Sequence, residues 1–102
     1  MCFGYFTFFL PYANFVGNSY RSLGCWADKD IRAIDGFEGV LGIYGCYERA
    51  SSLGYNVFAI QNGGKCFTTS TAESTFNIYG PSTKCSSDGT GGSGCQEVYK
   101  IG

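Results

Sequence analysis

Cysteine is the side chain whose number and spacing carry most of the chemistry in this sequence. Six occur, Cys2, Cys25, Cys46, Cys66, Cys85 and Cys95, and none form the CxxC pairs of zinc ribbons or thioredoxin-like sites. The chain contains no histidine, so a mixed Cys/His zinc site cannot be completed, and neither can the common Ser/His and Cys/His nucleophile–base pairs. Disulfides are the remaining use for the sulfurs, which implies an oxidising compartment and a secreted or cell-surface protein. Cys25, Cys46, Cys66, Cys85 and Cys95 are therefore read as structural disulfide cysteines. Whether Cys2 is retained decides whether the count is even or odd, and an odd cysteine could pair with another chain.

The carboxylates offer less. Asp28 with Glu38 or Asp35 is the pair that could act as a glycosidase acid and base, but polar surroundings give no reason for raised pKa values, so no catalysis is expected. The four acids of DKDIRAIDGFE miss the oxygen-ligand positions of an EF-hand and read as solvated loop charge; no metal is expected. The run DGTGGSG lacks the Gly-Lys-Ser/Thr ending of a phosphate cradle, and no cofactor is expected either.

Binding is better served. Aromatic residues make up 18% of the chain, and a ring lying flat at a surface can stack on the apolar face of a sugar while neighbouring amides and carboxylates bind its hydroxyls. Trp26, Asp28, Tyr55, Gln61 and Phe67 are the candidate ligand contacts, against the competing use of the same rings to fill a small core. The expected partners are a glycan or an extracellular protein, with self-association through an exposed aromatic patch as a further option. Seven basic residues stand against eight acidic ones without blocks of either sign, so there is no footprint for nucleic acid or an anionic membrane.

The elements that must position these residues are organised around GYNVFAIQNGGKCF, Gly54 to Phe67. Tyr55 to Ile60 is uncharged and rich in β-branched and aromatic side chains, as a strand buried on both faces would be. Asn62-Gly63-Gly64 tolerates the positive φ of a two-residue hairpin turn, so Lys65 to Thr69 should return beside it. Before the hairpin, Ile43, Cys46, Tyr47, Ala50 and Leu53 recur at helical spacing, and Gly54 sits where a left-handed residue would end that helix. Cys46 faces the core from this helix and Cys66 lies on the returning strand, which makes a helix-to-sheet disulfide reasonable.

The remaining elements follow from punctuation. Tyr20 to Trp26 reads as a first strand, Asp28 to Glu38 as irregular with one short turn, and Glu97 to Ile101 as a last strand. Ser70-Thr71-Ala72-Glu73 reads as a capping box opening a short helix with an Ala72, Phe76 and Tyr79 stripe, stopped by Gly80-Pro81. Ser82 to Gly94 is a long loop held by Cys85 and Cys95 near its ends. Residues 1–19 contain an uncharged aromatic stretch that reads as a signal peptide or N-terminal extension, with a strand retained in the domain as the alternative. At 102 residues the chain amounts to one small domain, in which covalent staples add substantially to a limited core.

Gly24-Cys25-Trp26 with Asp28, Cys46 ahead of Gly54-Tyr55, the Val57 to Gln61 strand with its glycines and Cys66, and the tail of Cys85, Asp88-Gly89, Cys95 and Val98-Tyr99 resemble the WSC domain. This is a cysteine-rich extracellular module. The resemblance runs from Leu23 to Tyr99 and places a WSC-like domain at 20–102. It departs from the family where Ala50 and Thr68 stand in place of two further cysteines, and where the Ser70 to Lys84 insert is long. The resemblance implies non-catalytic recognition of wall or matrix carbohydrate, or alternatively a structural or adhesive role in an extracellular assembly. The expected fold is α+β: a small disulfide-stapled antiparallel sheet with one main helix and one short capped helix.

Overall fold

The computed structural model describes residues 19–102, so the aromatic N-terminal stretch and Cys2 lie outside the described residues. The domain is α+β. Five strands, β1 (Tyr20–Ala27), β2 (Phe37–Val40), β3 (Val57–Gln61), β4 (Lys65–Thr68) and β5 (Cys95–Ile101), form one antiparallel sheet in the order β1-β5-β3-β4-β2. Helix α1 (Gly42–Ser52) and the four-residue helix α2 (Ala72–Thr75) complete it.

The apolar run that reads as doubly buried does lie at the centre. Every residue of β3 is buried, with β5 on one side and β4 on the other. Alternation along the strands divides the core into two layers. Phe58, Ile60, Cys66 and Tyr99 meet Cys46 and Ala50 of α1 on one face. Val57, Ala59, Phe67 and Val98 meet Ile34 and Ala72 on the other, with Trp26 and Phe76 packed against them.

Local chemistry accounts for the boundaries. Helix α1 ends in a Schellman arrangement in which Tyr55 N–H donates to the Ala50 carbonyl at 2.9 Å and Gly54 N–H to that of Ser51 at 3.0 Å, with Gly54 at φ 77°. The β3–β4 hairpin is present, but its loop has three residues, since Gln61 pairs with Lys65. Asn62 and Gly63 take φ 46° and 80°, and Gly64 N–H donates back to the Gln61 carbonyl at 3.1 Å.

Three further expectations about the elements differ from the structure. The stretch read as irregular, Asp28 to Glu38, ends in an edge strand on β4, Phe37–Val40, with an irregular register between Phe37 and Gly39. The capping box does not form, because Glu73 is engaged elsewhere, accepting from Asn56 Nδ2 at 2.8 Å and from the Lys100 ammonium of β5. Helix α2 stops at Thr75; Phe76 packs edge-on against Trp26, and the Tyr79 hydroxyl donates to the Ile31 carbonyl.

Among the described residues two disulfides staple the layers. Cys46–Cys66 joins α1 to β4, the pairing expected from their shared core face, and Cys25–Cys85 joins β1 to the long loop. Cys95 departs from the expectation, being a buried free thiol among the described residues. At the rim of the sheet Tyr20 pairs with Ile101, and Gly102 N–H donates to the Ser19 carbonyl at 2.6 Å.

Candidate functional site

Asp28 closes β1 onto the loop that leads to β2, and its carboxylate is the buried polar centre of that region. Its side chain is only 2% exposed. Oδ1 accepts from Ala33 N–H at 2.8 Å, while Oδ2 accepts from Arg32 Nη1 at 3.1 Å and from Gln61 Nε2 at 2.5 Å. Its backbone N–H donates to the Gly94 carbonyl at 3.0 Å. A buried carboxylate is tolerated only when its oxygens are supplied with donors in this way, so Asp28 organises the loop.

A shallow depression of about 170 Å³ opens beside this centre, lined by Asp28, Lys29, Asp30, Arg32, Gln61, Asn62 and Gly94. Lys29 Nζ lies 5.0 Å from the centroid of the Tyr79 ring, a cation–π contact from this loop to the segment after α2. Arg32 forms the ridge to a second depression of about 290 Å³, lined by Arg32, Phe37, Lys65 and Phe67. There the guanidinium lies 4.5 Å from the Phe67 ring centroid. The Phe37 and Phe67 rings are 5.4 Å apart and inclined at 48°. Phe37 is 58% exposed and Phe67 only 3%, so the ring offered to solvent belongs to the edge strand.

Five ligand contacts are expected from the sequence, and the structure places them unequally. Asp28 and Gln61 are hydrogen-bonded to each other at the rim of the first depression. Phe67 borders the second from beneath, as core rather than as an open platform. Trp26 packs at 5.2 Å against Phe76, and its Nε1 donates to the Leu23 carbonyl at 3.1 Å. Tyr55 packs on the opposite layer, with the α1 face, and joins none of this. Arg32, Phe37 and Lys65 are the residues that sequence reasoning missed. The Asp28/Arg32 spacing of four carries a signal for the ion pair, whereas Phe37 and Lys65 meet only through the β2–β4 pairing.

Several other carboxylates are also engaged. Glu38 accepts from Arg49 Nε at 2.8 Å. Hydrogen bonds from Lys100 and Asn56 hold the Glu73 carboxyl below the usual range, and Glu73 borders a polar hollow with Asn56, Ser70, Thr71 and Ser74. The Asp88 carboxyl is lowered by the hydroxyl and backbone N–H of Thr90. Burial, followed by the nearby Glu97 charge, pushes the Tyr99 phenol up to about 12.

The remaining cluster is made of sulfur. The Sγ atoms of Cys25, Cys85 and Cys95 all lie within 4.8 Å of one another, two of them bonded as a disulfide and the third free.

No family model matches this chain, and no curated protein matches it. Among the described residues no helix is long and apolar enough to cross a membrane.

Proposed function

We propose that this domain is a non-catalytic extracellular binding module for wall or matrix carbohydrate, built in the manner of a WSC domain. The observation that carries the reading is the adjoining pair of depressions joined at Arg32. One presents the exposed ring of Phe37 beside Lys65, and the other presents Gln61, Asn62 and Asp30. A sugar ring can lie on the phenyl face while its hydroxyls reach the guanidinium and the amides. The non-catalytic part rests on the carboxylates: Asp28 is committed to three donors and Glu38 to Arg49, leaving neither placed as a free acid or base. Two disulfides support an oxidising, extracellular setting. Ala50 and Thr68, which stand where the WSC pattern has its further cysteines, are both buried, as replacements for a lost staple would be.

The test is calorimetric titration with soluble wall oligosaccharides, comparing the protein with Phe37→Ala. Binding that weakens about tenfold or more in the variant, at unchanged thermal midpoint, supports the reading. Absence of binding to every glycan class offered would remove it.

A second reading, an adhesive subunit of an extracellular assembly, is favoured by the β2 edge. Phe37 and Val40 are 58% and 71% exposed on a strand with an open side, and Leu41 and Tyr44 continue the apolar surface. Sedimentation over a range of concentrations decides this one: self-association that Val40→Lys abolishes would replace the glycan reading.

A further inference from the structure

The free thiol of Cys95 is not isolated. Its sulfur shares a cluster with the Cys25–Cys85 disulfide, all three Sγ atoms lying within 4.8 Å. The fold puts them there by two routes. Cys25 and Cys95 project from the same face of neighbouring strands, since Cys25 is opposite Glu97 and Cys95 is opposite Ala27. Cys85 arrives on a loop folded back on itself, with Ser86 N–H donating to the Gly91 carbonyl at 2.8 Å and Gly92 N–H to that of Cys95 at 3.1 Å. The absence of a side chain at residue 92 leaves the room, because a Cβ there would stand 3.0 Å from Cys95 Sγ and 3.8 Å from Cys85 Cα. Cys95 Sγ and the Cys85 backbone therefore border the same space at Gly92. Cys95 is 1% exposed, whereas Cys25 and Cys85 are half-buried.

We propose that Cys95 is an internal nucleophile that exchanges with the Cys25–Cys85 disulfide and transfers the free thiol to Cys25. The Cys95 thiol loses its proton and its sulfur attacks Cys85 Sγ. A Cys85–Cys95 bond forms, the Cys25–Cys85 bond breaks, and the departing Cys25 thiolate takes up a proton. One disulfide and one thiol are present before and after, so no oxidant or reductant is required. The exchange moves reactivity from a buried position to a half-buried one on β1, an outer strand of the sheet. Cys25 is thereby the site at which this domain forms mixed disulfides with an external disulfide, and Cys95 is the group that arms it. The inference is independent of the glycan reading.

The test is native labelling with a bulky polyethylene-glycol maleimide, followed by digestion without reductant and peptide mapping. The expected result is label on Cys25 and a Cys85–Cys95 linked peptide in the same molecules, with loss of the Cys25 label in Cys95→Ser, Cys2 being mapped separately. A second variant keeps the test independent of that one: Cys25→Ser should fold with Cys85 and Cys95 joined and no thiol left between them. Label on Cys95 or Cys85 alone, no label at all, or two unjoined thiols in Cys25→Ser would overturn the proposal.

Discussion

Gln61 Nε2 donates to Asp28 Oδ2 at 2.5 Å, joining the end of the central strand to a loop residue 33 positions earlier in the chain. The contact links the most buried strand to the segment that carries Arg32 and leads to Phe37. Replacing Asp28 by Ala leaves the Ala33 N–H and the Gln61 amide without their acceptor. The expected loss is about 3 kcal/mol, read as a shift in the urea midpoint at constant slope. In a double-mutant cycle with Gln61→Ala, a coupling of about 1 kcal/mol or more is expected; additive losses would show that the contact contributes nothing.

The long loop is held against β3 by a close approach of backbone. A Cβ at Gly91 would meet the Ile60 carbonyl oxygen at 2.2 Å, and its φ is 71°. Gly63 has a similar φ of 80° but open space around it. Gly63→Ala should therefore cost about 1 kcal/mol, the conformational term alone. Gly91→Ala should cost about 3 kcal/mol, because the backbone must also move. Chemical unfolding of the two variants side by side separates strain from collision.

Replacing Cys46 and Cys66 together by Ala opens a loop spanning a sequence separation of 20. The expected destabilisation is about 3 kcal/mol, if the bond acts mainly by restricting the unfolded chain. The same pair of substitutions tested in reduced protein should show little difference from the reduced parent, which is the control that assigns the effect to the bond.

Tyr99 supplies a pH dependence at the alkaline end. Its phenol, donating to the Gly89 carbonyl at 2.7 Å, is pushed up to about 12 from the ordinary 10.0. A raised folded value means that the native state holds the proton more tightly than the unfolded chain. The associated stability is complete below pH 10.0 and is lost as pH rises towards about 12. Urea midpoints of the protein should fall across that window more steeply than those of Tyr99→Phe; parallel curves would refute the assignment.

How far the sequence reveals this fold depends on how local each signal is. The β3–β4 hairpin and α1 are legible because an uncharged run, turn residues and a helical stripe sit within a few residues of one another. Those two elements make the Cys46–Cys66 bond reasonable, and the structure contains it. Strand β2 is hidden, because FEGV has little apolar alternation and becomes a strand only by pairing with β4. The capping box fails for a similar reason: Lys100 reaches Glu73 from a strand 27 positions away and engages the carboxylate. At the candidate site, Asp28 and Gln61 are legible as polar residues beside strands. Arg32 over Phe67 and Phe37 beside Lys65 are products of strand order. The state of Cys95 depends on where the loop from Cys85 comes to lie, which cysteine spacing does not encode.

The pairing of Tyr20 with Ile101 puts Ser19 and Gly102 side by side, with the Cys25–Cys85 bond a short way in from that rim. Tension applied between Ser19 and Gly102 would peel β1 from β5 one pair at a time, the direction in which a sheet resists least. It would then meet the disulfide, after which the pull runs along the chain from Ser19 to Cys25, across the sulfurs, and from Cys85 to Gly102. Residues 26–84, which include α1, β3, β4 and all of the lining of both depressions except Gly94, lie inside the covalent loop and off the direct covalent path. A domain anchored by these two neighbouring points would lengthen by yielding its edge first, and reduction of that one bond would remove the stop.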